Sequence, residues 1–190
     1  MNIFKLNSNA ILPTKGTEKS SCYDISACLS GIEKVNVYVK GGKIKRAPQS
    51  SQDGDYIAIH PGERVQVPTG LVLDIPDGYD VKVYSRSGLS IKNGIRLANS
   101  VAVIDNDYKE ELFVLLINDS HDTFLLHHGI RIAQFELDKV NDFEIVEVDK
   151  KPEQTTDRTG GLGSTGTKSS RAKKEEVVVE QERKTNEKGE

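Results

Sequence analysis

Between residues 35 and 148, short runs rich in Val, Ile, Leu and Tyr recur, each cut off by a turn signal. This rhythm constrains the fold more than any other feature. It predicts strands at Val35 to Val39, Tyr56 to Ile59, Arg64 to Val67, Leu71 to Ile75, Tyr79 to Tyr84, Val101 to Ile104, Glu111 to Ile117, Thr123 to Leu126, Arg131 to Leu137 and Phe143 to Val148. Strands so short and so closely spaced build an all-β barrel or sandwich. Val35, Val37 and Val39 alternate before Gly41-Gly42, and Lys43-Ile44-Lys45 follows, which predicts a hairpin projecting as an arm. Pro61-Gly62, Pro76-Asp77-Gly78 and His128-Gly129 mark turns that need a fixed or positive φ. The one helical stretch is Ser87 to Asn93, with Ser87 expected to cap it and Gly94 to end it.

Charge narrows the partners. Lys and Arg number 26 against 29 Asp and Glu, a net charge of -3, whereas a protein that wraps polynucleotide by releasing counterions needs a cationic excess. No apolar run approaches the roughly 20 residues of a membrane helix. The start, Met1-Asn2-Ile3-Phe4-Lys5, has no signal-like apolar region, so the cytoplasm is the expected location. Cys22 and Cys28 are too few for a disulfide framework or a zinc site and read as ordinary thiols. Composition shifts near residue 167: residues 167–190 hold seven basic and six acidic side chains and little apolar surface, so disorder is expected. The expected organisation is a β body over 1–150 carrying the 35–55 hairpin, an arm over 151–166, and the charged tail.

Five clusters carry the candidate chemistry. Tyr84-Ser85-Arg86-Ser87-Gly88-Leu89 places a guanidinium and hydroxyls at a strand-to-helix junction, where free N–H groups favour an anion. Arg158-Thr159-Gly160-Gly161-Leu162-Gly163-Ser164-Thr165-Gly166 offers similar donors on a pliable backbone, and Thr167 rather than Lys after Gly166 excludes a Walker A loop. Asn99 to Tyr108 ends an apolar strand in Asp105-Asn106-Asp107, which supplies a candidate general base and is equally good turn chemistry. Asp24 is a lone charge within Cys22 to Ala27, and Arg131 to Gln134 pairs a cation with an amide along an apolar strand.

In order and spacing these clusters resemble the five motifs of the homotrimeric dUTP pyrophosphatases, through YDISA, YSRSGLS, NSVAVIDNDYKEE, GIRIAQF and RTGGLGSTG. The resemblance implies a distorted jelly-roll β-barrel of the dUTPase-like, β-clip type with a flexible C-terminal arm. It also implies a homotrimer with shared active sites, and hydrolysis of dUTP to dUMP and pyrophosphate. By the same resemblance Asp105 would deprotonate the attacking water, Tyr108 would pack on the deoxyribose, and Asn99 and Val103 would belong to the hairpin facing uracil. Arg86, Ser87 and Gly88 would hold phosphates, Gln134 would meet the α-phosphate, and Asp24 would meet Mg²⁺ through water. Arg158, Gly161, Leu162, Gly163, Ser164 and Thr165 would cover the nucleotide.

The chain departs from the family pattern at Leu162, where Phe is usual, at Glu110 and Ala102, where Gly is common, and at Cys22 and Ser90. The 35–55 segment is longer than the compact pattern needs. Two alternatives stand beside the hydrolase. A dCTP deaminase-like enzyme would need a Glu beside the Arg86-Ser87 cluster and would lack the Gly-rich flap. A nucleotide-sensing module could recruit a protein partner through 35–55 or 167–190.

Overall fold

The structure is a computed structural model that describes residues 1–157 and 160. Contacts divide the chain into two compact units, Met1–Phe143 and Glu144–Glu190. All the described strands lie in the first: β1 (Asn2–Lys5), β2 (Thr14–Lys15), β3 (Tyr23–Ser26), β4 (Val35–Val39), β5 (Gly42–Arg46), β6 (Gln49–Ser51), β7 (Gly54–Ile59) and β8 (Arg64–Pro68). After these come β9 (Leu71–Asp74), β10 (Tyr79–Ser85), helix α1 (Ser87–Asn93), β11 (Ile95–Leu97), β12 (Val101–Ile104), β13 (Phe113–Asn118), β14 (Phe124–His127) and β15 (Arg131–Lys139).

Two five-stranded sheets, β12-β10-β15-β3-β2 and β11-β13-β8-β4-β5, supply most of the walls, and β14-β7-β6 and β1-β9 complete them. The pairings are antiparallel, as a jelly-roll-like β fold requires. Alternation along each strand sends one face inward: Ile25, Val37, Ile59, Val65, Val67, Val81, Leu116 and Leu126 are buried in one cluster. The outward face of β10 and β15 is polar, with Lys82 paired to Asp138 and the Tyr84 hydroxyl donating to Glu136 Oε1 at 2.7 Å.

Nine of the ten predicted runs form strands, and the predicted turn glycines Gly62, Gly78 and Gly129 adopt φ of 75°, 79° and 80°. Three expectations are corrected. The hairpin at Val35 does not project as an arm: β4 pairs with β8, and Val35 and Val37 are buried, because their apolar stripe is absorbed by the core. Ser87 is not the helix cap. Arg86 stands at that position with φ −93° and ψ 124°, makes no side-chain capping bond, and Ser87 begins the helix itself. Gly94 does end it, with φ 64°, and a Cβ there would lie 2.9 Å from the Ser120 backbone nitrogen. Phe143 to Val148 is not a strand, because a strand exists only through its ladder and no described strand pairs with it. Its Phe143 and Ile145 are 79% and 87% exposed.

Candidate active site

Register builds the site. β15 lies between β10 and β3, with Gln134 opposite Tyr84 on one side and Asp24 on the other. Both side chains leave the outer face of the sheet near the end where β10 runs into α1. Arg86, the first residue past β10, therefore reaches Asp24: its Nε lies 2.8 Å from Asp24 Oδ1. Arg131 Nη1 holds the other carboxylate oxygen at 2.8 Å, and Arg86 Nη1 donates to the Arg131 carbonyl at 2.9 Å. One carboxylate is thus clamped by two guanidinium groups, a net positive cluster. Its Asp24 side chain is 11% exposed, against 26% for Arg86 and 51% for Arg131.

These residues line a cavity of about 220 Å³ together with Ser87, Gly88 and Gln134. The Gln134 amide is oriented by donating to the Ser85 carbonyl at 3.0 Å. Ser87 and Gly88 open α1, whose first-turn N–H groups have no acidic side chain to satisfy them. A Cβ on Gly88 would meet nothing within 4 Å, so its missing side chain leaves the cavity mouth clear. The arrangement offers an anion two cations, a hydroxyl, an amide and free backbone donors.

Of the residues singled out in the sequence, Asp24, Arg86, Ser87, Gly88 and Gln134 thus come together. Asp105, Asn99, Val103 and Tyr108 do not join them. Asp105 is exposed and its carbonyl accepts from Tyr108 N at 3.2 Å, so the turn its sequence suggested is formed. Val103 is 54% exposed on β12. The Tyr108 hydroxyl donates to the Glu111 carbonyl at 2.8 Å, and burial, then the carboxylates of Glu110 and Glu111, hold it above the usual tyrosine range as a neutral donor. Asn99 lines a separate cavity and accepts through its carbonyl from Val101 N at 2.7 Å across Ser100. Ser100 has φ 62°, the one positive φ outside glycine among the described residues, and marks a strained tight turn. Arg158, Gly161, Leu162, Gly163, Ser164, Thr165 and the 167–190 tail lie outside the described residues.

Sequence reasoning missed three lining residues, Gly16, Ser20 and Cys22, and named Arg131 within its strand cluster without giving it a role. Arg131 was legible within GIRIAQF, since its strand position places it level with Ser26 near Asp24. Gly16 and Ser20 sit in a loop closed by Thr17 N donating to Ser20 Oγ at 3.0 Å, a contact with no distinctive pattern in the sequence. Burial, then the carboxylates of Glu136 and Asp24, push the Cys22 thiol up. Cys28 is buried and is pushed up the same way, mainly by burial. Among the described residues no group of three or more His, Cys, Asp or Glu side chains is placed to hold a metal ion by itself.

The dUTPase family model matches residues 53–166. A deoxyuridine 5'-triphosphate nucleotidohydrolase of Chlamydia muridarum is 36% identical over 162 residues, which cover 85% of this chain and 95% of that protein. One of Brucella melitensis biotype 2 is 49% identical over 111 residues, covering 58% of this chain and 70% of its own. Among solved structures, the dUTPase of Streptococcus mutans superposes with a TM-score of 0.58 at 22% identity, covering 76% of this chain and 99% of that one. Staphylococcus bacteriophage 80alpha dUTPase with dUPNHPP reaches 0.64 at 20% identity, covering 87% and 98%. These structural likenesses speak for the jelly-roll-like fold, while the family match and the near full-length relative speak for descent: the chain belongs to the dUTPase family.

Proposed function

We propose that the chain hydrolyses dUTP to dUMP and pyrophosphate by attack of water at the α-phosphorus. This would limit uracil incorporation into DNA and supply dUMP for dTTP synthesis. The observation that carries the reading is the clamp of Asp24 between Arg86 and Arg131, on a cavity that Ser87, Gly88 and Gln134 complete. Phosphoryl transfer is mostly positioning and charge neutralisation, and cations, backbone donors and an amide supply both. Arg86 and the start of α1 bind the phosphates, and Gln134 aligns the α-phosphate. Asp105 takes the proton of the attacking water, Tyr108 covers the sugar, and Asn99 with Val103 reads the base. The 158–166 segment covers the bound nucleotide. No residue becomes a covalent nucleophile.

The fit to Mg²⁺ is indirect: Arg86 and Arg131 already hold both Asp24 oxygens, so Asp24 cannot cage a cation and suits only an ion that keeps most of its water and takes its direct ligands from substrate phosphates. Asp24 would hold Mg²⁺ through water, and the ion when bound would offset phosphate charge.

Register supports sites shared between copies, which the homotrimer implied by the family resemblance would supply. Ile104 pairs with Val81, so Asp105 falls level with Asp80, six residues of β10 from Arg86. At 3.3 Å per residue that separation is about 20 Å, too far for one nucleotide's α-phosphate to be held by Arg86 and approached by Asp105 of the same copy. A neighbouring copy closes the gap. The exposed apolar run of Phe143, Ile145, Val146 and Val148 is further surface that an assembly would cover. We place the activity in the cytoplasm, on free nucleotide. A protein partner at 35–55 is less favoured than in an arm-like hairpin, because β4 is built into the sheet.

Asp105→Asn tests the assignment of the base. The amide cannot accept the proton, so dUTP binding by calorimetry should persist while pyrophosphate release stops. Wild-type turnover by this variant would refute the assignment.

A further inference from the structure

The hairpin that lengthens this chain between its first two motifs reaches the neighbourhood of Asn99. Tyr38 on β4 and Arg64 on β8 line the same cavity, of about 310 Å³, as Ala98, Asn99 and Leu115. Three residues with planar groups, Tyr38, Arg64 and Asn99, therefore border one open, mostly apolar hollow. A cavity of about 310 Å³ has room for a flat heteroaromatic ring. The Tyr38 ring is already ordered. Its hydroxyl donates to Gln66 Oε1 at 3.4 Å, and Lys43 Nζ and Arg64 Cζ lie 5.7 and 6.0 Å from the ring centroid. Little further freedom would be lost on binding. β4 itself cannot drift, because Val37 is buried and Arg46 at the end of β5 is locked to Glu63 at 2.6 and 2.7 Å.

A second observation comes from the other end of the chain. No Phe, Tyr or Trp follows Phe143, and Leu162 stands where an aromatic covering residue is usual. The C-terminal segment therefore offers no ring to the base.

We propose that Tyr38, with Arg64 beside it, is the aromatic wall of the pocket for the pyrimidine base, a specificity-determining residue supplied by the added hairpin. This rests on the reading of Asn99 as the base-facing residue. The Tyr38 ring and the Arg64 guanidinium beside it offer the base planar groups to pack against, and Asn99 offers hydrogen bonds to its edge.

The test measures KM and kcat for dUTP, with inhibition by deoxyuridine and by pyrophosphate, in wild type, Tyr38→Ala and Tyr38→Phe. Tyr38→Ala should raise KM about tenfold, as loss of one ring stacked on a base does, with kcat within about twofold of wild type. Deoxyuridine should weaken by the same factor and pyrophosphate should be unaffected, a split that general loosening of the fold would not produce. Tyr38→Phe keeps the ring and loses only the 3.4 Å contact to Gln66, so it should recover most of the affinity lost in Tyr38→Ala. Unchanged KM and deoxyuridine inhibition in Tyr38→Ala would overturn the proposal. So would equal weakening of deoxyuridine and pyrophosphate. If the wild type released no pyrophosphate from dUTP yet bound deoxyuridine through Tyr38, the hydrolytic reading would fail and the base pocket would stand.

Discussion

Arg46→Met should destabilise the protein by about 2–4 kcal/mol. The guanidinium forms a two-pronged pair with Glu63, at 2.6 Å from Nη1 and 2.7 Å from Nη2, and Nη1 also donates to the Ala58 carbonyl at 2.6 Å. Glu63 further accepts from His60 N at 2.9 Å and is buried, its side chain 10% exposed. Removing one partner of a buried pair strands the other charge, at a cost of about 3–5 kcal/mol. Arg46 is 22% exposed, so water can partly replace it, which lowers the figure to the range given. For a body of this size that is a fall in Tm of about 5–15 °C at fixed protein concentration. The pH dependence follows from the same contact. The hydrogen bonds from Arg46 hold the Glu63 carboxyl below its ordinary range, although burial pulls the other way. A depressed carboxylate contributes fully above its unfolded value, about 4.3, and loses that contribution as pH falls through the folded value. Wild type and variant should therefore differ most at neutral pH and begin to converge only once pH falls below the unfolded value, about 4.3. A calorimetric Tm within about 2 °C of wild type at pH 7 would refute the reasoning.

Two further predictions concern assembly and closure. Mixed refolding of Asp24→Asn and Asp105→Asn chains, each inactive alone, should restore about a quarter of the wild-type rate if each site takes one residue from each of two copies; no recovery would place both in one copy. Leu162→Phe should strengthen dUTP binding by about 0.5 to 1.5 kcal/mol through contact with the base, read as a lower KM. Unaltered KM and kcat would show that this position does not cover the ring.

Strand positions were legible because period-two alternation survives in the sequence wherever one sheet face is buried, as at Val35, Val37 and Val39. The same stripe was misread as a free arm because alternation reports a buried face without naming what buries it; only the pairing of β4 with β8 does that. Phe143 to Val148 shows the converse, apolar spacing with no ladder partner among the described strands. At the site, Asp24, Arg86 and Gln134 were legible as charges or amides interrupting apolar strands, and register brought them together. Ser20 and Gly16 were not, since a loop contact leaves no periodic trace. Nor was the placing of Tyr38 and Asn99 on one cavity, since they lie 61 positions apart in the sequence and share it only through sheet order.

Pyrophosphate release by the purified protein with Mg²⁺, comparing dUTP with dCTP, dTTP and UTP and with EDTA as control, tests the central claim most directly. Rapid, chelator-sensitive release from dUTP alone is the predicted result. Release from dCTP or UTP at the same rate, or none from dUTP, would contradict it.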